Sequence, residues 1–355
     1  MTPQSPSLSI IIPALNEAAH LPQLLTDLAQ QQNIRFETIV VDGGSDDDTL
    51  QRCEPFTDQT LLCLTLLSSE PGRGRQMNRG ANAAAANDYL FLHADTRIEN
   101  PRLLNEAQQF LANTRRQQGN HRVAGHFPLR FTNETSAGNH YYFYESKTYL
   151  NRPDCINGDQ GFWLTKDYFT WLGGFDESLP YMEDAKLAAK IFDSGHWITL
   201  PGEITTSARR FETEGFSRRQ IINSFLCNFN AMGVNGFFQW ALDAYRRQDK
   251  TGKLDMKPFL KLAHQQMNGD GFKTAIQRWY QTGAYIAGNA WQLAFALDCR
   301  RNRVQGLPPG NHNTHWLSFY DSHIASVANW PVIKAMTALL TVAWFYSLFI
   351  LFTSR

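Results

Sequence analysis

An excess of charge of one sign, paired cysteines and repeated long apolar segments are all missing from this 355-residue chain. The 33 Lys and Arg residues balance 33 Asp and Glu residues, so no excess positive charge indicates a nucleic-acid partner. The five scattered cysteines form no CxxC pair and no Cys/His metal spacing, which favours a reducing compartment. The opening residues carry no basic segment followed by an apolar one, so we expect no secretory signal peptide.

One long apolar run does occur, near the C-terminus. The segment AMTALLTVAWFYSLFILF begins at Ala335, and no charged residue lies between Lys334 and Arg355. About 18 uncharged, largely apolar residues are enough for a helix to cross the hydrocarbon core of a membrane. We therefore predict a transmembrane anchor within residues 330–355, with a buried core helix as the alternative.

The N-terminal half alternates apolar runs with polar, helix-competent stretches. The runs LSIIIPALN, FETIVVDGG, LLCLTLLSS and YLFLHADT each end in residues typical of turns. This rhythm predicts an α/β fold with a parallel sheet and crossover helices. Ligands of such sheets bind beyond the carboxyl ends of the strands, so the polar residues after the first, second and fourth runs are expected to share one site.

Two of these strand ends present carboxylates. Asp42 precedes two glycines that allow a ligand to approach the backbone, and its carboxylate can accept hydrogen bonds from a nucleobase or a ribose. Asp46 to Asp48 are explained by the start of a helix, where acidic residues complement the helix dipole. On an extended strand, His93 and Asp95 would point to the same side, about 7 Å apart.

The segment PGRGRQMNRG, residues 71–80, offers a glycine- and arginine-rich loop, and the overlapping alanine-rich stretch MNRGANAAAAN, residues 77–87, predicts a helix. The loop lacks the GK[ST] ending of a P-loop. Guanidinium groups such as those of Arg73 and Arg75 suit a diphosphate, although a solvated loop is an equally good interpretation. The same segment suggests a nucleotidyltransferase as a rival function. That class usually places such a loop directly after its first strand, whereas here PALNE follows.

Taken in order, five motifs resemble the family 2 glycosyltransferases of the GT-A fold. They are SIIIPALNE, IVVDGGSDDDT, GRGRQMNRGA, LFLHADT and GGFDESLPYMEDAKLAAKI, and the resemblance covers roughly the first 215 residues. Within the family, the chain most resembles a small bacterial subgroup named for its association with radical-SAM and selenodomain genes. The resemblance implies an inverting, hexosyltransferase-like enzyme that uses a nucleotide-diphosphate sugar and a divalent cation, Mn²⁺ or Mg²⁺.

The resemblance also implies which residues bind the donor and the metal. His93-Ala94-Asp95 stands where the family carries its DxD motif, so Asp95 would bind the cation. His93 could contact the ribose or a phosphate, or serve as a nitrogen ligand of Mn²⁺. The remaining residues expected at the nucleotide-sugar follow the first three strands: Pro13, Asn16, Glu17, Asp42, Arg73 and Arg75.

The motif YMEDAKLAAKI carries the expected catalytic residues. The family's ED pair supplies the general base at its Asp, here Asp184, and Glu183 would support the acceptor or the loop. A helix start with dipole-compensating acids is the structural alternative. The resemblance places four further residues on the acceptor or diphosphate side: Asp159, Gln160, Arg209 and Arg210.

These features predict three segments: a GT-A domain over 1–215, a helical extension over 216–329, and the anchor over 330–355. The enzyme would lie at the cytoplasmic face of the cell membrane, because nucleotide-sugars are cytosolic, with a single-pass C-terminal anchor. A membrane tether favours a lipid or lipid-linked acceptor. A catalytically silent sugar- or lipid-binding protein is the third interpretation, because the metal motif has one acid fewer than the family pattern.

Overall fold

The computed structural model describes residues 5–59, 62–132, 141–246, 248, 252–310 and 313–353. The chain divides into two compact units, Met1–Ala208 and Arg209–Arg355. The predicted boundary after residue 215 lies a few residues beyond this division, because the helix that begins at Arg209 belongs to the second unit.

The first unit is built on a mixed, mostly parallel sheet of seven strands in the order β3-β2-β1-β4-β7-β5-β8. Strand β7 is antiparallel to both of its neighbours, and β6 and β9 form a separate parallel pair. The strands of the described residues are β1 Leu8–Ala14, β2 Phe36–Asp42, β3 Leu64–Ser68, β4 Asp88–Phe91, β5 Val123–His126, β6 Leu129–Thr132, β7 Phe162–Thr165, β8 His196–Thr199 and β9 Ile204–Ser207.

Strand β1 shows why the sheet forms here. All seven of its residues are buried, as expected for a central parallel strand that is covered on both faces. The following helix buries Leu21, Leu24, Leu25 and Leu28, whose spacing forms one apolar stripe. The predicted α/β class and the four predicted N-terminal strands are confirmed. The same sheet also contains the antiparallel strand β7, so it is mixed and not purely parallel.

Seven α-helices cross between the strands in the described part of the first unit, together with short 3₁₀ turns at Glu54–Phe56 and Gly158–Gln160. They are α1 Leu21–Ala29, α2 Thr49–Cys53, α3 Arg73–Ala83, α4 Leu103–Gln118, α5 Tyr142–Lys147, α6 Lys166–Trp171 and α7 Glu183–Ser194.

The second unit is helical throughout the residues that are described. Its last helix, Pro331–Thr353, is the one helix among them that is long and apolar enough to cross a membrane. The α-helices are α8 Arg209–Glu214, α9 Phe216–Ala231, α10 Gly236–Arg246, α11 Lys257–Asn268, α12 Phe272–Gly288, α13 Trp291–Val304, α14 His315–Phe319, α15 Ala325–Ala328 and α16 Pro331–Thr353, with a π-helical turn at Tyr320–Ile324.

Candidate active site

The loops after β1 and β2 are joined by hydrogen bonds at the carboxyl edge of the sheet. Asn16 adopts a left-handed backbone conformation with φ of 57°. Its amide N–H donates to Ser45 Oγ over 2.9 Å, and its side-chain oxygen accepts from the Asp46 amide over 2.9 Å. The Glu17 amide donates to Thr49 Oγ1, while Pro13 lies buried within β1 below these loops. The predicted nucleotide-side residues therefore meet at one edge of the sheet.

Asp42 is buried and already has hydrogen-bond partners in its own turn. One carboxylate oxygen accepts from the Gly44 and Ser45 amides at 3.0 and 3.1 Å, and the other accepts from Ser45 Oγ at 2.5 Å. An ionised carboxylate offers about four lone-pair sites, so a further donor can still be accommodated. Asp42 thus shapes the turn in addition to lying at the predicted nucleobase position.

The helix predicted from Met77 onward is present, but it already begins at Arg73, so the loop interpretation of residues 71–80 is wrong from that residue onward. The helix separates the two arginines that were expected at the nucleotide. Arg73 pairs with the buried carboxylate of Glu183, at 3.3 Å between Nε and Oε1, whereas Arg75 lies on an exposed surface 3.7 Å from Glu177. Only Arg73 therefore contacts the ED pair.

A side chain that the sequence did not single out ties α3 to the strand ends. The buried amide of Gln76 donates hydrogen bonds of 2.8 Å to the carbonyls of Ala14 and Val41, the latter one residue before the end of β2. Its two amide hydrogens thus join the ends of β1 and β2, and the Ala14 carbonyl also accepts from the Gly43 amide over 2.9 Å. Gln76 therefore fixes the start of α3, and with it Arg73, at the carboxyl edge.

Arg73 is surrounded by carboxylates. Glu183 raises the pKa of the Arg73 guanidinium, burial opposes this, and Asp184, Asp95 and Asp159 add smaller upward contributions. These four acidic residues come from three separate segments of the first unit. The structure therefore brings together the residues predicted for metal binding, the general base and the acceptor side.

Four acidic side chains lie around the single guanidinium of Arg73, and the pKa values of two of these acids are raised. Burial raises the pKa of Asp159 to about 7, with further increases from Asp184 and Asp95 and a decrease from Arg73. Burial also raises the pKa of Glu183 to about 7, although Arg73 opposes it. Like charges in a partly buried site disfavour ionisation. The protein's own side chains thus provide too little positive charge to stabilise all four carboxylates in their ionised form.

Asp184 and His93 face the same point beside Gly158. The Gly158 amide donates a 2.8 Å hydrogen bond to Asp184 Oδ2. A Cβ added at Gly158 would lie 3.0 Å from that oxygen and 3.1 Å from His93 Nε2. Any side chain here would therefore push against the carboxylate and the imidazole. Glycine at this position keeps the general-base candidate and the metal-motif histidine close together.

The start of α7, which carries Glu183 and Asp184, is held by an unusual backbone and by α3. Met182 has a φ of 68°, a left-handed conformation that is uncommon for a residue with a long side chain. Asn78 on α3 donates to the Phe175 carbonyl over 2.9 Å and accepts from the Phe175 amide over 3.0 Å. These contacts fix the loop before the ED pair.

The expected strand geometry of His93 and Asp95 needs correction. Strand β4 ends at Phe91, and both residues lie in the following turn, where the Thr96 amide donates a 3.1 Å hydrogen bond to the His93 carbonyl. Alternation along a strand therefore does not set their directions. Arg209 and Arg210 follow the short strand β9 and lie in the first turn of α8, in the second unit.

Gln160 is placed for support rather than for contact with an acceptor. Its side chain is fully buried, and its amide donates a 2.7 Å hydrogen bond to the Cys155 carbonyl. The Phe127 amide donates to its backbone carbonyl over 2.9 Å. Asp159, the neighbouring candidate, is the member of this pair that takes part in the acidic cluster.

The donor set is compatible with a hard divalent cation. Among the described residues, no group of three or more His, Cys, Asp or Glu side chains is close enough to hold a metal without other ligands. However, the buried Asp159 Oδ1 has no hydrogen-bond partner, and it lies in a cluster with excess negative charge. Carboxylate oxygens suit Mg²⁺ or Mn²⁺ when substrate phosphates complete the coordination.

We expect Asp159→Asn to stabilise the ligand-free protein at pH 8 but not at pH 4. The pKa of Asp159 is raised from 3.8 to about 7, so the folded state binds more protons than the unfolded state between these values. The stability of the native protein therefore falls as pH rises through this window. The gain at pH 8 should be about 1–3 kcal/mol, since one pKa unit corresponds to about 1.4 kcal/mol.

Urea unfolding at both pH values measures this difference. Asp58→Asn, the same change at an exposed position, is the matched control and should have little effect at either pH. An equal gain at pH 4 and pH 8 would show that the Asp159 carboxylate is not the source.

Comparison with known proteins gives a family match over the N-terminal part of the chain. Residues 9–170 match the family described as Glycosyl transferase family 2. The matched range includes Asp42, Arg73, Asp95 and Asp159, whereas the ED pair at Glu183 and Asp184 follows it.

Individual relatives match over shorter segments. A PGL/p-HBAD biosynthesis glycosyltransferase of Mycobacterium bovis is 41% identical over 92 residues, which is 26% of this chain and 36% of the relative. The poly(ribitol-phosphate) β-N-acetylglucosaminyltransferase TarS of Staphylococcus aureus is 32% identical over 106 residues, 29% of this chain and 18% of the relative. The match thus spans little more than a third of the mycobacterial relative and less than a fifth of TarS.

Solved structures also align with most of the chain. The mannosyltransferase PcManGT of Pyrobaculum calidifontis, in complex with GDP-Man and Mn²⁺, has a TM-score of 0.47 and 17% sequence identity. The alignment covers 96% of this chain and 88% of that protein.

Proposed function

We propose that this chain, whose residues 9–170 carry a glycosyl transferase family 2 domain, moves a sugar from a nucleotide-diphosphate sugar to a membrane-associated or lipid-linked acceptor. The observation that carries the proposal is the cluster of Asp95, Asp159, Glu183 and Asp184 around Arg73, at the carboxyl edge of the sheet. An enzyme that transfers glycosyl groups needs a general base and a means of neutralising a leaving diphosphate at the same place. This cluster has side chains suited to both tasks.

The donor would lie over the loops that follow β1 and β2. Asn16, Glu17 and Asp42 shape these loops, and Asp42 would accept a hydrogen bond from the nucleobase. The diphosphate would extend from there towards Arg73. The His93-Ala94-Asp95 turn is the feature that supports assignment to the radical-SAM and selenodomain-associated subgroup, because its first residue departs from the general DxD pattern.

Asp95 and His93 would hold the divalent cation, with Asp159 close by. When bound, the cation supplies positive charge that offsets the negative charge developing on the diphosphate. The cluster has more acidic than basic side chains, so it would repel an anionic donor. This repulsion is a physical reason for a bound cation. Arg73 contributes a permanent positive charge to the same task, and its pairing with Glu183 orients it.

Asp184 would act as the general base in a single displacement. Its carboxylate removes the proton from an acceptor hydroxyl as that oxygen attacks the anomeric carbon of the donor. The bond between the anomeric carbon and the diphosphate oxygen breaks on the opposite face, and the configuration inverts. The Gly158 N–H holds one carboxylate oxygen of Asp184 and leaves the half-buried side chain room to meet the acceptor. Glu183 supports the site by fixing Arg73.

The membrane part of the proposal rests on α16. A 23-residue helix spans about 34 Å at about 1.5 Å per residue, comparable with the thickness of the hydrocarbon core. Attachment at the cytoplasmic face would give the enzyme access to cytosolic donors and to lipid-linked acceptors. Trp330 and Lys334 at its start would serve as interfacial anchors, as would Arg355 at its end, which lies outside the described residues.

Release of a nucleoside diphosphate from a panel of nucleotide-sugars tests the proposed activity. The purified chain is incubated with each donor, Mn²⁺ and a membrane lipid extract, and the nucleotide products are separated by chromatography. We expect one donor to give nucleoside diphosphate in amounts equal to the glycosylated lipid. Release of pyrophosphate would instead indicate a nucleotidyltransferase, and binding without turnover would indicate a catalytically silent protein.

A further inference from the structure

The balanced net charge of the chain conceals two units of opposite charge. Residues 209–355 contain 17 Lys and Arg against 8 Asp and Glu, a net charge of +9, and residues 1–208 carry −9. A strongly basic unit attracts anionic surfaces, and the attraction weakens within a Debye length of about 8–10 Å. The helical unit is therefore the part of the chain suited to an anionic partner.

Helix α13 shows how this charge is arranged. Its inner side buries Trp291, Phe295 and Asp298. At about 100° per residue, Leu293, Leu297, Arg300, Arg301 and Val304 fall on the opposite side of the helix. All five are exposed, with 75% of Leu293 and 81% of Val304 accessible to solvent.

This outward side mixes large apolar side chains with uncompensated charge. Among the described residues, neither Arg300 nor Arg301 forms an ion pair with an acidic side chain. A helix with apolar residues beside arginines is typical of a segment that lies in the interfacial region of a membrane.

The same mixture continues on the next helix in the chain. Buried Asp298 accepts hydrogen bonds from the Trp316 and Leu317 amides at 2.9 and 2.8 Å, which holds the start of α14 against α13. Trp316 and Phe319 nevertheless remain exposed on α14. Exposed aromatic side chains are common where a protein contacts the lipid head groups of a membrane.

Helix α16 also has an exposed apolar side, which carries no charged residue after Lys334. It packs closely on α12, where a Cβ added at Gly283 would lie 2.4 Å from the Lys334 carbonyl oxygen and 2.6 Å from Ala338 Cβ. Its other side leaves Leu339 and Leu340 exposed, with 72% of Leu339 accessible. One side of α16 thus belongs to the fold of the helical unit, and the other has no protein cover within the described residues.

We infer that α13 and α14 form a binding surface for the head groups and outer acyl region of an anionic lipid leaflet, in addition to the apolar contact made by α16. The apolar residues Leu293, Leu297 and Val304 would enter the interface, and Arg300 and Arg301 would pair with lipid phosphates. This inference concerns lipid binding and does not depend on the proposed sugar transfer.

Charge favours a lipid leaflet over a second copy of the chain as the occupant. A symmetric dimer through this surface would bring Arg300 and Arg301 of one copy towards those of the other, with no acid on the outward side of α13 to compensate them. Anionic phospholipids supply the opposite charge, and each basic side chain near such a surface strengthens binding.

Co-sedimentation of the full-length chain with vesicles tests the surface. Binding is compared between vesicles of phosphatidylcholine and vesicles in which about a third of the lipid is phosphatidylglycerol, at low and high salt. The neutral vesicles report the contribution of α16, so the difference between the two reports α13. Arg300→Glu with Arg301→Glu should reduce the phosphatidylglycerol-dependent part at least tenfold. Leu293→Ser with Leu297→Ser should weaken binding to both kinds of vesicle.

Two exposed arginines of the first unit provide the control. Arg52→Glu with Arg116→Glu changes the net charge by the same amount and should leave lipid binding within about twofold of the native value. Thermal unfolding checks that each variant is folded. The inference is overturned if the native chain binds neutral and anionic vesicles equally, or if the Arg300/Arg301 variant matches the control. It is also overturned if that variant abolishes self-association in sedimentation velocity while lipid binding is unchanged.

Discussion

Asp184→Asn is expected to lower turnover by roughly 10²-fold or more while nucleotide-sugar binding is retained. The amide keeps the shape of the carboxylate but cannot accept the proton of an acceptor hydroxyl. The structure allows this substitution, since the Gly158 amide can still donate to the remaining side-chain oxygen in place of Asp184 Oδ2. Steady-state kinetics combined with donor binding by calorimetry separate loss of the base from loss of binding.

Asp193→Asn is the matched control, because it makes the same change at an exposed position on the same helix. Its turnover should equal that of the native enzyme. Near-native turnover in Asp184→Asn would mean either that another group is the base or that the acceptor is an already ionised lipid phosphate. Repeating the assay with hydroxyl and phosphate acceptors distinguishes these cases.

The sheet was predictable because its signals are local. Each of the first four strands is a short apolar run that ends in turn residues. The observed strands β1 to β3 lie within those runs, and β4 begins one residue before its run, at Asp88. The carboxyl edge followed from the alternation of strands and helices. Strand β7 was not predictable in this way, since nothing in the sequence FWLT specifies that it pairs antiparallel with β4.

The start of helix α3 could not be predicted from composition, although the alanine-rich stretch from Met77 predicted a helix for the rest. Three glycines and three arginines within residues 71–80 are typical of a loop, and the start of the helix is instead secured by contacts distant in sequence. Gln76 bonds to the ends of β1 and β2, and Asn78 bonds to Phe175. The ion pair between Arg73 and Glu183 depends on the same tertiary contacts. Both residues were therefore predicted site residues, but their pairing could not be predicted from the sequence.

The opposite net charges of the two units are encoded in the sequence, but they can be counted only once the boundary between Ala208 and Arg209 is known. A total of zero gave no reason to divide the chain, and the +9 of residues 209–355 follows only once that unit is defined. The outward side of α13 required the fold as well, because helical periodicity alone does not say which side of an amphipathic helix is covered.

Asp95→Ala is expected to reduce transfer at least roughly 10³-fold, because loss of the cation removes several kcal/mol of stabilisation from the leaving diphosphate. Asp95 is the carboxylate that the family motif assigns to the metal, and it lies in the acidic cluster around Arg73. Binding of Mn²⁺ in the presence of nucleoside diphosphate, followed by electron paramagnetic resonance, should be lost in parallel. Glu99→Ala, an exposed acid four residues later, should retain both activity and Mn²⁺ binding.

His93→Asp tests the same site in the opposite direction. The substitution restores the general DxD pattern but adds a carboxylate on the side of the turn that faces Asp184, where negative charge is already in excess. We therefore expect near-native activity at saturating Mn²⁺ and a steeper loss than in the native enzyme when Mn²⁺ is limiting. If Asp95→Ala instead works normally in the presence of a chelator, the cation has no part in transfer, and Arg73 is the group left to neutralise the diphosphate.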